Sequence, residues 1–175
     1  MNTSKGRAVT LSATVIHSEP PPRAPGLRHR VSAGLLGGTT SIHEGLLAPG
    51  ELIPPHAHAN EDQCIYVVSG TVHLEIGGEF IQAPAGTYVV KPRGVPHGFW
   101  NPGSTPALVL EITSPGGFEP YYHEMAAVTS PAQALAVQAK YGITFRGDLA
   151  AQLISRHQLH VGHIPQNWRA NEHDG

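Results

Sequence analysis

Three histidines and one glutamine have the types and spacing that metal chemistry would require. His56 and His58 stand two residues apart after two prolines, in a segment expected to be extended. Because side chains alternate along a strand, both imidazoles would lie on one face. Gln63 follows shortly afterwards, and His97 stands in a turn-rich segment further along the chain. Neutral imidazole is the commonest metal ligand, so this set predicts a mononuclear site, although spacing alone also allows a solvated pair of loop histidines.

Residues 50–101 resemble the two sequence motifs of the cupin superfamily. The first motif, G-x5-H-x-H-x3/4-E-x6-G, is matched at every fixed position except the glutamate by Gly50, His56, His58 and Gly70. The second motif, G-x5-P-x-G-x2-H-x3-N, is matched throughout by Gly86, Pro92, Gly94, His97 and Asn101. The resemblance implies an all-β fold, the cupin double-stranded β-helix or jelly-roll barrel, with an N-terminal arm and short C-terminal helices. It also implies one divalent transition metal per chain (Fe, Ni, Mn or Zn), held by the motif histidines and the residue in the glutamate position.

Gln63 occupies the position where the cupin motif has glutamate. An amide oxygen can bind a metal, but it is neutral and cannot act as a base. Replacing a carboxylate by an amide leaves the metal more electropositive, which favours Lewis-acid chemistry at the cost of affinity. Asp62 is the alternative fourth ligand if the loop has another register, but the six-residue step from Gln63 to Gly70 favours Gln63. Glu61, Asp62 and Glu111 are the candidates for a general base.

Turn signals divide the centre of the chain into short strands. Strands are predicted at 41–47, 63–68, 71–76, 79–83, 88–91, 97–101 and 107–113, with Gly77-Gly78 as a hairpin turn. Strands of this length and spacing suggest a sandwich or barrel with a small-molecule cavity at one mouth. Aromatic candidates for the substrate pocket are Tyr66, Phe99 and Trp100, although a core role is favoured for the last two.

The sequence divides into three regions. Residues 1–38 are predicted to be an N-terminal arm with a strand around 8–17, which packs on the barrel or on a second subunit. Residues 39–116 are the barrel, and residues 117–175 are a C-terminal helical extension with a mobile tail. Within the extension, Ser130 as N-cap and Pro131 as first residue predict a helix that ends before Gly142, and a second short helix is expected within 148–157.

Composition excludes several classes of function. The 175 residues carry a net charge of −2 and only 11 Lys and Arg, which argues against a nucleic-acid partner. The single cysteine fits a reducing compartment. No segment has the length and apolarity of a membrane span or a signal peptide, so a soluble cytoplasmic protein is expected. The resemblance to cupins implies a homodimer that acts on a small molecule.

The cupin fold hosts many chemistries, so the sequence leaves three functions open. The favoured one is a metal-dependent dioxygenase acting on an enolic or aromatic, flavonol-like substrate, because the segment after residue 114 resembles the tails of cupins grouped with quercetin dioxygenases. The first alternative is a non-redox Lewis-acid cyclase, isomerase or lyase acting on a polyketide or sugar-derived carbonyl compound, which the neutral ligand set favours. The second alternative is a ligand-binding cupin without catalysis.

Overall fold

A computed structural model describes residues 14–16 and 26–161. Its strands are β1 (Gly26–Val31), β2 (Ser41–Leu47), β3 (Glu51–His58), β4 (Asp62–Ser69), β5 (Thr71–Ile76), β6 (Glu79–Pro84), β7 (Tyr88–Lys91), β8 (His97–Trp100), β9 (Ala107–Ser114), β10 (Ile143–Phe145) and β11 (His160–Val161). Its helices are a short 3₁₀ helix (Ala33–Leu36), α1 (Glu119–Ala126), α2 (Pro131–Lys140) and α3 (Gly147–His157). The strands predicted between residues 41 and 114 are confirmed to within one or two residues.

The strands form two sheets that face each other as a double-stranded β-helix, the fold predicted from the sequence. The first sheet has the order β1-β2-β9-β4-β7, and the second has the order β10-β3-β8-β5-β6. Neighbours in both sheets are antiparallel, and β11 adds a short parallel contact to β3. Residues of β3 and β8 therefore face residues of β4, β7 and β9 across the interior.

Alternating apolar side chains from both sheets fill the closed end of the barrel. The first sheet contributes Ile65, Val67 and Val109, and the second contributes Leu74 and Phe99, all of them buried. Because strand side chains alternate between faces, every second residue of these strands enters the core. The inward-facing residues closer to the open end are polar instead of apolar. A binding site can therefore form at the open end.

The C-terminal extension packs against both faces of the second sheet. Phe118, Tyr121 and Met125 form a cluster with Ile143 at the open end of the barrel. Helix α3 instead covers the outer face, where Leu153 packs on Leu52 and Trp100. The two predicted helices are confirmed, and Ser130 caps α2 as expected by accepting a hydrogen bond from the Gln133 amide. Helix α1 and strand β10 were not predicted.

Several predictions fall on residues outside the described part of the chain. They are most of the strand around 8–17, most of the N-terminal arm and the tail beyond residue 161. Residues 14–16, the described part of that predicted strand, are not in a strand. The described part of the arm, β1, pairs with β2 at the edge of the first sheet. No helix within the described ranges is long and apolar enough to cross a membrane.

Candidate metal centre

The pairing of β3 with β8 brings three histidines together. His56 lies opposite His97 in the register, and His58 follows two residues later on the same strand. Pro54 and Pro55 occupy the irregular step between the paired positions 53 and 56, where a strand tolerates missing amide donors. One ring nitrogen from each histidine lies within 4.8 Å of the other two, a separation that a single metal ion can bridge.

Each imidazole is held by a hydrogen bond from Nδ1 to an acceptor behind it. His56 Nδ1 donates to the Pro54 carbonyl at 2.8 Å, and His97 Nδ1 donates to the Val95 carbonyl at 3.0 Å. His58 Nδ1 pairs with the Glu61 carboxylate at 3.1 Å. Carbonyl and carboxylate oxygens only accept, so the rings carry their proton on Nδ1 and keep Nε2 for a metal, which is the outer-shell arrangement typical of metal-ligating histidines.

Burial keeps the three rings neutral. Burial is the main cause that lowers the pKa of His58 and of His97 to about 2, and the positive charge of Lys91 contributes to both shifts. Burial also lowers the pKa of His56, although the hydrogen bond to the Pro54 carbonyl opposes the shift. His97 Nε2 is buried and has no hydrogen-bond partner within the described residues. A buried nitrogen lone pair without a donor is costly, and a metal ion would satisfy it.

Gln63 lies on the first sheet, on the wall of the same cavity as His56 and His58. Its amide nitrogen donates to Thr113 Oγ1 at 3.3 Å. Its carbonyl oxygen, Oε1, is buried and accepts no hydrogen bond within the described part of the chain. The donor set of three imidazole nitrogens and one amide oxygen fits a borderline divalent metal such as zinc, iron, nickel or manganese.

An ion pair lies next to these residues on the first sheet. The register places Lys91 of β7 beside Gln63, and Glu111 of β9 beside Ile65. The Lys91 ammonium is fully buried and donates a hydrogen bond to Glu111 Oε1. Burial alone would raise the pKa of Glu111, but the charge and the hydrogen bond of Lys91 lower it below its ordinary value. Glu111 is therefore an ionised carboxylate inside the barrel.

The cavity at the open end has a volume of about 370 Å³ and a predominantly apolar wall. The metal-site residues that line it are His56, His58 and Gln63, and Glu111 is the buried acid beside them. The extension supplies much of the remaining wall through Phe118, Tyr121, Tyr122, Met125, Ile143 and Phe145. A cavity of this size and lining suits a small, largely apolar molecule with a few oxygen groups.

The extension also packs directly on the metal-site histidines. Strand β10 pairs with β3 so that Ile143 lies opposite His58 and Phe145 lies opposite His56. The Phe118 ring lies 4.7 Å from the His58 ring, centroid to centroid. These contacts exclude water from one side of the rings and fix their orientation.

Asp62 and Glu61 do not line the cavity. Asp62 points out of the barrel, where its carboxylate accepts hydrogen bonds from the amide and the guanidinium of Arg93 at 2.6 to 3.1 Å. It is neither the fourth ligand nor a base facing the substrate, because it is one residue out of phase with Gln63 on the same strand. Glu61 lies behind His58, where it orients the ring instead of meeting a substrate.

The aromatic candidates separate by the same alternation. Phe99 is buried and lines the cavity. Its neighbour Trp100 points to the outer face of the sheet, where its ring lies 4.9 Å from the ring of His157 at the end of α3. The prediction that Trp100 lines the pocket is therefore wrong. Tyr66 also points outward, stacked 4.4 Å from Tyr88, and is likewise not a pocket residue.

Comparison with known proteins shows which domain the central segment of the chain resembles. The cupin domain model Cupin_2 matches residues 43–113, which include all four metal-site residues. This segment, which is less than half of the chain, is a cupin domain. The structure of KdgF from a Halomonas species matches 62% of this chain and 99% of its own, with a TM-score of 0.51 and 21% identity, a likeness that shows the fold alone.

Two curated relatives are proteins of polyketide synthesis. The tetracenomycin polyketide synthase protein TcmJ of Streptomyces glaucescens is 32% identical over 69 residues, which are 39% of this chain and 46% of that protein. The polyketide synthase CurC of Streptomyces cyaneus is 32% identical over 80 residues, 45% of this chain and 52% of that protein. The chain thus aligns with about half the length of each relative.

Two features of the site were missed by the sequence prediction. Lys91 was not recognised, although the alternation of Val89 and Lys91 along β7 places both on the inner face. Tyr122 was not recognised either, because helix α1 carries no strong start signal: its N-cap is Phe118, which makes no side-chain capping hydrogen bond. A polar residue in phase with buried valines was the signal available for Lys91.

Proposed function

We propose that this chain is a divalent-metal enzyme that removes a proton from the carbon next to a substrate carbonyl, in a cyclisation or isomerisation of a polyketide-type compound. The observation that carries the proposal is the division of roles inside one cavity. The residues suited to hold a metal are all neutral. The ionised carboxylate that could act as a base, Glu111, lies on the sheet that faces the three histidines, on the strand next to that of Gln63.

His56, His58, His97 and Gln63 would hold the metal. When bound, a divalent ion would polarise a substrate carbonyl and stabilise negative charge on its oxygen. The Nδ1 hydrogen bonds keep the three rings in the ligating tautomer, and Gln63 presents a carbonyl oxygen that lacks another partner within the described chain.

The charge of the cavity favours an anionic oxygen. The three histidines are neutral because their pKa values are lowered, Gln63 is neutral, and the charges of Lys91 and Glu111 offset each other. The four residues that would hold a cation would themselves carry no negative charge, and the Glu61 carboxylate would act on it only through the His58 ring. In a poorly hydrated cavity such a site favours an enolate, a phenolate or a β-dicarbonyl anion over a neutral ligand.

Glu111 is suited to move the proton. Its Oε1 accepts from Lys91, which leaves Oε2 without a hydrogen bond within the described residues to receive a proton from carbon. The electron pair of the broken C–H bond would move to the carbonyl oxygen. Because Lys91 keeps the pKa of Glu111 low, the carboxylate is ready as a base at neutral pH, and the acid formed returns its proton easily.

The substrate class follows from the cavity and from the relatives. The wall is mostly apolar and aromatic, and besides Tyr121 and Tyr122 its polar residues are Glu51, His56, His58, Gln63, Glu111 and Gln138. Flat, partly aromatic molecules that carry several ketone or phenol oxygens match this distribution. The local similarity of residues in the cupin domain to two polyketide synthesis proteins supports the same class.

The test is proton exchange without oxygen. The zinc-loaded protein is incubated under argon in D₂O with 1-(2-acetylphenyl)propan-2-one, a small aryl diketone, and loss of the acetyl methyl proton signal is followed by NMR. We expect metal-dependent exchange that falls by about 10²-fold or more in Glu111→Gln. Asp62→Asn, which removes an outward-facing carboxylate of the neighbouring strand, should exchange at the wild-type rate.

Two results would contradict the proposal. Oxygen uptake by iron-, nickel- or manganese-loaded protein with an enolic aromatic, together with no exchange by the zinc form, would support the dioxygenase predicted from the sequence. Binding of such compounds with neither exchange nor oxygen uptake would support a ligand-binding cupin.

A further inference from the structure

Helix α1 forms a wall of the cavity that spans both sheets. Phe118, at its start, packs on His58 of the second sheet. Tyr122, one turn later, packs on His43 of the first sheet with ring centroids 4.9 Å apart. Both residues also line the cavity. The extension therefore supplies a phenol to a cavity whose other polar groups come from the barrel.

The start of α1 is fixed to the barrel by hydrogen bonds. The Glu119 carboxylate accepts from the Ala33 amide at 2.7 Å and from the Gly117 amide at 2.8 Å, and it lies 3.7 Å from His29 Nε2. A Cβ at Gly116, just before the helix, would lie 2.3 Å from the Ala33 Cβ, so only glycine allows this close approach. Tyr122 is thus held in place by more than its own packing.

Tyr122 and Glu111 are close enough to interact electrostatically. Burial raises the pKa of the Tyr122 phenol well above its ordinary value, and the negative charge of Glu111 raises it further. The phenol therefore stays protonated beside an ionised carboxylate. His43, which lies opposite Glu111 in the register and against the Tyr122 ring, is kept neutral because burial lowers its pKa to about 4. One cavity thus contains a proton acceptor and a proton donor.

We propose that Tyr122 is the catalytic acid of an intramolecular aldol ring closure in which Glu111 is the base, with His43 positioning the phenol. This inference rests on the proposed function, because it takes the carbanion that Glu111 generates as its starting point. It adds the reaction type, which requires two carbonyl groups in one substrate. It also assigns a role to the extension, which lies outside the segment that matches the cupin domain model.

The step balances within the cavity. Glu111 takes a proton from the carbon next to the first carbonyl, and that carbon forms a C–C bond to the carbon of the second carbonyl. The π bond of the second carbonyl breaks, and its oxygen takes the proton of the Tyr122 hydroxyl. The proton on Glu111 then returns to the phenolate, so both residues are restored and a β-hydroxyketone is formed. No oxidant or reductant is required.

The aryl diketone used above separates the two steps. Exchange of its acetyl methyl protons reports proton removal, whereas ring closure followed by loss of water gives 3-methyl-1-naphthol, which is measured by its fluorescence. We expect wild-type protein to do both. In Tyr122→Phe, which keeps the ring and its packing, the ratio of exchange to closure should rise about 10²-fold, because a general acid contributes this much or more. Metal content should equal that of the wild type.

Tyr141→Phe is the matched control. The Tyr141 hydroxyl donates to Glu124 at 2.6 Å, and Tyr141 is not among the residues that line the cavity, so the ratio in this variant should be that of the wild type. An unchanged ratio in Tyr122→Phe, or exchange by the wild type without any naphthol, would overturn this inference while leaving the proposed function intact. No exchange by the wild type would instead contradict the proposed function.

Discussion

Removal of the Lys91 ammonium should leave Glu111 as an uncompensated charge inside the barrel. Lys91 is fully buried and Glu111 is 7% exposed, so water cannot replace the lost partner. Breaking a buried ion pair from one side typically costs about 3–5 kcal/mol, whereas replacing both partners by apolar residues is often neutral. Lys91→Met keeps most of the side-chain volume, which confines the change to the charge. We therefore expect Lys91→Met to lower the free energy of unfolding by about 3–5 kcal/mol at pH 7.

The stability difference between the wild type and Lys91→Met should become smaller in acid. Its direction follows from the pKa of Glu111 in the folded protein compared with its pKa in the unfolded chain. In the wild type the folded pKa lies below the ordinary 4.5, so the stabilisation is complete above 4.5 and is lost as the pH falls through the folded value. In Lys91→Met burial is the largest remaining influence, and it raises the folded pKa above 4.5 against the smaller lowering by His56 and His43. The variant therefore gains stability relative to the wild type as the pH falls from 7 towards 5.

The assay is urea unfolding of the metal-free protein, with Lys91→Met, Glu111→Leu and the double variant forming a cycle. The double variant should unfold within about 1 kcal/mol of the wild type, because no unpaired charge remains. A loss in Lys91→Met that is below about 1 kcal/mol, or a loss that does not change with pH, would refute the assignment of a buried ion pair.

Three further predictions concern the site and its support. Gln63→Glu should tighten metal binding about tenfold by adding a negative charge, measured by competition with a chelator, and unchanged affinity would mean that Gln63 is not a ligand. Gly98→Ala would place a Cβ 2.9 Å from Pro55 Cγ, so it should push β3 away from β8. We expect the free energy of unfolding in urea to fall by about 1–3 kcal/mol and metal binding to weaken, and wild-type stability would contradict this close contact. The control is Gly147→Ala, whose added Cβ would meet no atom within 4 Å. His43 has a pKa of about 4 in the folded protein against 6.5 in the unfolded chain, so the free energy of unfolding should decrease as the pH falls from 6.5 towards 4. Between pH 7 and 4.5, His43→Gln should lose about 2–3 kcal/mol less of its free energy of unfolding in urea than the wild type loses. Equal losses in the two proteins would argue against burial of a neutral imidazole.

The cluster of three histidines was predictable because the sequence signals for it are local. A strand period of two and the motif spacing identify His56, His58 and His97, and glycine-rich turns mark the strand ends. Helix α2 was predictable for the same reason, since Ser130 and Pro131 are signals that act within one turn.

The rest of the site depends on contacts between distant segments. Glu111 was one of three candidate bases. Only the register of β4 with β7 and β9 shows that Glu111 lies close to Lys91 and that Asp62 does not face the cavity. The orientation of Trp100 depends on α3, which covers the outer face of β8. Tyr122 lines the cavity because the extension folds back over the barrel. Local sequence patterns do not predict this long-range contact.

The central claim is that His56, His58, His97 and Gln63 form one metal site. Elemental analysis of purified protein tests it most directly, with His97→Ala compared with His73→Ala, which removes a histidine next to Trp100 on the outer face of the second sheet. We expect about one zinc, iron, nickel or manganese ion per chain in the wild type and in His73→Ala, and little in His97→Ala. Equal metal content in both variants, or no metal in the wild type after loading, would contradict the account.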